Sequence, residues 1–79
     1  MTTQNSNPTI TAVATLYSKV PSADESYTQL NFTADYNDAR NKMWSKYTPS
    51  LSLSMNVLPE VSENFELKAN YLLTFEKQD

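Results

Sequence analysis

The chain has 79 residues with nine acidic and six basic side chains, a net charge of -3, and no Gly, Cys or His. That length bounds it to one domain with a small core. The missing Cys and His exclude disulfides, thiolate and imidazole metal sites and the commonest general base, and the missing Gly excludes phosphate-cradling loops, whose backbone must approach oxygen closely.

Residues 1–8, "MTTQNSNP", offer nothing to bury and read as a flexible polar arm, mobile or gripping a partner. A single β domain is expected over residues 9–76, with 77–79 a polar tail. The first nine residues contain neither a basic residue nor a hydrophobic run, so no signal or transit peptide is expected there. No apolar stretch approaches the ~18 residues of a membrane span. In "TITAVATLYSKV", Ile10, Ala12, Ala14 and Leu16 share one parity and Val13 and Tyr17 the other; the Thr, Val, Ile and Tyr content favours a strand, with both faces partly covered.

"PSADES" is a turn by composition, with Asp24, Glu25 and Ser26 in solvent. "YTQLNFTADY" places Leu30, Phe32, Ala34 and Tyr36 at alternate positions, the pattern of a half-buried strand, and the first two segments make a hairpin. "NDARN" breaks the pattern and leads into "KMWSKYTPS", where Pro49 biases Thr48 towards an extended conformation. "LSLSMNV" then gives the cleanest alternation: Leu51, Leu53, Met55 and Val57 point to a dry face and Ser52, Ser54 and Asn56 to a wet one. "PEVSENF" predicts a short helix over about residues 59–65, opened by Pro59, with Glu60 and Glu63 near its positive end and Val61 and Phe65 sharing a packed face. "YLLTFEK" is the closing strand. Without Gly, Asn37, Asn41, Asn64 and Asn70 are expected to supply left-handed turn conformations, unless the connections are longer and use ordinary turn types. The fold class is mainly β: a small antiparallel sheet or partly open barrel of four to five strands, the fifth over residues 42–47, with one short helix.

Three groups of residues are candidate sites. Arg40, Lys42, Trp44, Lys46 and Tyr47 put three cations and two aromatics in one short stretch, the composition of an anion or single-stranded nucleic-acid surface, where cations steer phosphates and aromatics stack bases. The competing reading is a connection whose aromatics pack inward; the acidic balance of the chain disfavours nucleic acid. The acids Asp24, Glu25, Asp35, Asp38, Glu60 and Glu63 fit no cation loop, since "DYND" lacks the turn Gly and the distal Glu that an EF-hand needs. They read as solvated loop charges, and Ser50 beside Lys46 reads as a turn residue rather than a nucleophile. Val13, Tyr17 and Leu72 are apolar residues of the wet parity, and with unpaired sheet edges they are the interface candidates.

The run "WSKYTPSLSLSMNV", followed by Phe65 and "YLLTF" at 71–75, resembles a family of small phage-encoded β proteins built on Lys-x-Thr-Pro-Ser-Gly, an alternating strand, a short Pro-initiated helix ending in Phe, and a closing strand after Pro-Gly-Lys. Lys46, Thr48, Pro49, Ser50, Phe65 and Tyr71 match, over a span of residues 10–76. Leu51 stands in the Gly position and "LKAN" in place of Pro-Gly-Lys, so both turns are built differently. The resemblance implies a phage origin and a compact β fold; the family has no established catalytic role and contributes little about mechanism.

The function expected from these readings is non-enzymatic. It is an accessory or virion component acting by protein–protein association, as a homo-oligomer or with another phage or host protein, in the host cytoplasm or the virion. The alternative is a binding module for a nucleotide, a small anionic ligand or single-stranded nucleic acid. No cofactor, metal or membrane partner is implied.

Overall fold

A computed structural model describes residues 9–79; the expected arm at 1–8 lies outside the described residues. Four strands, β1 (Ile10–Pro21), β2 (Thr28–Ala34), β3 (Ser52–Val57) and β4 (Asn70–Phe75), form one antiparallel sheet in the order β3-β2-β1-β4. The sheet is open rather than closed into a barrel, so β3 and β4 are its edges. A single α-helix, α1 (Pro59–Ser62), and a 3-10 helix (Ala39–Met43) complete the fold.

The alternation of the sequence sets which face is dry. Ala12, Ala14 and Leu16 of β1 and Leu30, Phe32 and Ala34 of β2 are all buried. Leu51, Leu53 and Val57 beside β2, Tyr71 and Leu73 on β4, and Phe65 beyond α1 pack against that centre. The registers bring Phe32 opposite Leu16 on one side and Leu53 on the other. Phe32, Phe65 and Tyr71 form an aromatic cluster, with Phe32 edge-on to both partners at ring-centroid distances of 6.2 and 6.0 Å. Edge-on rings set a positive rim against a negative face, a stabilising contact beyond the area buried.

One irregularity redirects β1. Leu16 pairs with Phe32 and Ser18 with Asn31, so Tyr17 is an extra residue without a partner on β2, a β-bulge. Beyond it the parity of β1 inverts. Lys19, which unbroken alternation would place with Val13 on the wet face, comes opposite Leu30. Its ammonium reaches over the dry face and donates to the Ser62 and Phe65 carbonyls, both at 2.8 Å. These bonds tie the end of α1 to the sheet.

Several expectations need correction. Residues 42–47 form no fifth strand: the 3-10 helix runs to Met43 and a turn follows. β2 stops at Ala34, leaving Tyr36 62% exposed, because the Asp35 carboxylate accepts the Asn37 amide and bends the chain. α1 has four residues and ends at Ser62, so Val61 is exposed while Phe65 packs from the segment beyond. Among the described residues the left-handed conformations fall on Glu25 (φ 61) and Lys68 (φ 70), not on Asn37, Asn41, Asn64 or Asn70. Asn41 and Asn70 spend their amides on long-range hydrogen bonds instead, which requires a fixed side-chain direction rather than a special backbone.

Candidate functional site

The segment rich in cations and aromatics packs beside β1, tied to the Val13 backbone through Asn41. Asp38 caps its 3-10 helix by accepting the Arg40 amide at 2.9 Å. The same carboxylate takes Arg40 Nε at 2.9 Å and Nη2 at 2.7 Å, a two-point ion pair. Bonds from the Arg40 side chain first, then from its backbone amide, hold the Asp38 carboxyl at about 2, below the ordinary 3.8. The guanidinium is thereby committed to a local cap.

The remaining members of this group differ in exposure. Lys42 is exposed on the 3-10 helix, and Trp44 turns inward, half-buried, with Nε1 donating to Asn41 Oδ1 at 3.1 Å. Lys46 lies over the ring of its neighbour Tyr47, its Nζ 5.3 Å from the centroid, and that ring is 78% exposed. Lys46 and Tyr47 thus pair with each other, while Trp44 is half-buried and Tyr47 exposed.

Asn41, which the sequence reading treated only as a turn residue, is the fixed point of the segment. It is fully buried, and its amide makes four hydrogen bonds. Oδ1 accepts from the Val13 amide at 2.7 Å and from Trp44; Nδ2 donates to the Val13 carbonyl at 2.9 Å and the Asp35 carbonyl at 2.8 Å. Just beyond the end of β2, where the Asp35 amide still donates to the Val13 carbonyl at 3.0 Å, Asn41 bridges the Val13 amide and the Asp35 carbonyl. Only a primary amide offers two donors and two acceptor lone pairs in that arrangement.

Of the three interface candidates, Val13 is 1% exposed and belongs to the interior, while Tyr17 and Leu72 are each 55% exposed. Tyr17 projects from the bulge. Leu72 lies on β4, opposite Val13 in register but on the free edge. The acidic residues are dispersed: Asp24 accepts from Ser22 and Ser26 within the hairpin loop, and Asp35 accepts from Asn70, which in turn accepts from Thr15. No group of three or more acids able to hold a metal ion occurs among the described residues.

The more extensive feature is the free margin of the sheet. Leu51 and Leu53 on one side and residues 72–75 on the other line a cleft of about 400 Å³ between β3 and β4. Neither edge strand contains a charged residue or a proline. Around β4, Leu72, Phe75 and the adjoining Ile10 of β1 are 55, 53 and 48% exposed.

Comparison with protein-family models, with curated proteins and with solved structures finds no match. The likeness to small phage proteins therefore rests on the motif residues alone. In that motif Pro49 is buried between exposed Thr48 and Ser50, and Leu51, in the Gly position, packs against the core. Lys68, within the "LKAN" connection, takes a left-handed conformation without being Gly.

Proposed function

We propose that this protein acts by protein–protein association, as a homo-oligomer and without catalysis, and that it serves as an accessory or virion component of a phage. The observation that carries association is the unguarded margin of the sheet. Soluble β proteins normally protect an edge with charged side chains, proline, a bulge or a covering element, because unpaired amides and carbonyls recruit another strand. Among the described residues the bulge at Tyr17 lies on central β1, and both edge strands are uncharged. The apolar cleft between them adds a surface that gains from leaving water. The phage setting is carried by the motif resemblance alone.

The core supports the same reading. Seven hydrophobic side chains are buried, three of them alanines, and domains of this size usually draw further stability from disulfides, metals or association. Without Cys or His, association is the route this composition leaves open. The cation-rich segment does not favour the ligand-binding alternative, since Arg40 is paired with Asp38 and Trp44 is turned towards Asn41. Sedimentation velocity on the full chain is the test. The expected result at micromolar concentration is a species larger than the monomer; a folded monomer over the whole micromolar range overturns the proposal.

A further inference from the structure

The geometry points to one particular contact: two copies of this chain join edge to edge through β4, antiparallel, about a two-fold axis at Leu72. This inference rests on the association reading above and specifies its surface, partner and register.

The hydrogen-bonding direction of β4 comes first. Leu16 donates to the Ala69 carbonyl at 3.1 Å, so Ala69 faces β1, and by strand alternation so do Tyr71, Leu73 and Phe75. The amides and carbonyls of Asn70, Leu72 and Thr74 therefore point away from the sheet, where no further strand lies among the described residues. Centring a two-fold axis on Leu72 pairs Leu72 with its own copy and Asn70 with the copy's Thr74. All of these are outward-facing positions, and the pairing forms about six new backbone hydrogen bonds.

Side chains then select this register. In it Tyr71 lies opposite the copy's Leu73, and Phe75 opposite its Ala69. The two Leu72 side chains meet on the wet face, which accounts for a leucine left 55% exposed on the edge strand beside buried Val13. The uncharged stretch is bounded by Lys68 and Glu76, four residues to either side of Leu72. Lys68 sits in the turn before β4 at φ 70, its amide donating to the Leu16 carbonyl at 2.6 Å, so it flanks the strand rather than continuing its alternation. The axis therefore brings the lysine end of each strand to the glutamate end of its copy, two reciprocal attractions that flank the pairing. Opposite charges across a strand pair stabilise it, and like charges oppose it. Shifting the axis to Leu73 sets Glu76 against Asn70 and moves the opposite charges apart.

β3 is the weaker edge. Its dry-face residues Leu53 and Val57 already pack on the core, and its wet face is Ser52, Ser54 and Asn56. The nearest charges, Lys46 and Glu60, sit in a turn and in α1, off the strand line. A two-fold β4 contact also closes on itself, joining two sheets into one of eight strands without continuing into a fibre.

Charge exchange followed by sedimentation tests both surface and register. Lys68→Glu and Glu76→Lys are each expected to weaken self-association about tenfold. The double exchange restores it, and an equimolar mixture of the two single variants associates like wild type, because each then presents what the other lacks. Leu72→Lys places two cations on the axis and is expected to give a folded monomer, checked by circular dichroism. Asn56→Lys on β3 leaves association unchanged. If wild type is monomeric, the association reading fails together with this one. If wild type associates and Leu72→Lys does not alter it, or Asn56→Lys alone abolishes it, the β4 assignment is overturned while association stands. Single exchanges that weaken binding without rescue by mixing overturn the register.

Discussion

Asn41 shows how much a single side chain carries in a chain with so small a core. Its four hydrogen bonds satisfy the Val13 amide and the Asp35 carbonyl, add a second donor to a Val13 carbonyl that already accepts the Asp35 amide, and orient Trp44. Removing one partner of a buried hydrogen bond leaves the other unsatisfied, at about 1–3 kcal/mol for each group stranded. Asn41→Ala is thus expected to lower the unfolding free energy by about 2–4 kcal/mol. Asn41→Leu, which restores the volume and not the bonds, should be nearly as damaging. Urea unfolding monitored by Trp44 fluorescence checks this, and a loss below about 1 kcal/mol in both variants would contradict the keystone role. The sequence marked position 41 only as a turn. Its partner Val13 is 28 positions away, and no local pattern reports a bond of that span.

At the scale of elements, the strands are held by parity and the connections by carboxylates. In the hairpin loop the Asp24 carboxyl is lowered by the Ser26 hydroxyl first, then by the Ser26 amide and the Ser22 hydroxyl. In the β2–β3 connection Asp38 is held at about 2 by Arg40. Both groups have a folded-state value below the unfolded one. Their contribution is therefore complete above the ordinary value of 3.8 and is lost as pH falls through the folded-state value. Melting temperature is expected to drop between about pH 4 and pH 2, and to drop less steeply over that window in Asp38→Asn. Equal slopes for wild type and Asp38→Asn would remove Asp38 from the account. The bulge at Tyr17 belongs to this scale too: one extra residue turns Lys19 towards the dry face, where it binds the carbonyls at the end of α1.

For the whole molecule, an open four-stranded sheet leaves two edges and a cleft, and its stability is then tied to what covers them. If copies of the chain cover each other, folding and association are linked, and each tenfold rise in protein concentration adds ~1.4 kcal/mol to the assembled state. The melting temperature of wild type is expected to climb by a few degrees per decade of concentration, while that of Leu72→Lys stays constant. A concentration-independent midpoint for wild type, measured by differential scanning fluorimetry, would argue that the monomer is stable by itself. The net charge of -3 does not oppose pairing at β4, since residues 69–75 carry no charge.

Residue parity in β2 and in most of β3 was decided by the sequence alone, although Met55 stays 40% exposed outside the core. Leu51, Leu53 and Val57, like Leu30, Phe32 and Ala34, face the dry side as their alternation requires, because successive side chains of any strand point to opposite faces. The hairpin and the Pro59 start of α1 were legible for the same local reason. The tertiary structure alone decided that Trp44 turns towards Asn41, that Val13 lies inside while Leu72 stays at the edge, that Lys19 crosses to the dry face, and that Glu25 and Lys68 take the left-handed turns. Each of these depends on contacts between distant parts of the chain, or on a bulge that shifts the period by one, and periodicity cannot encode either.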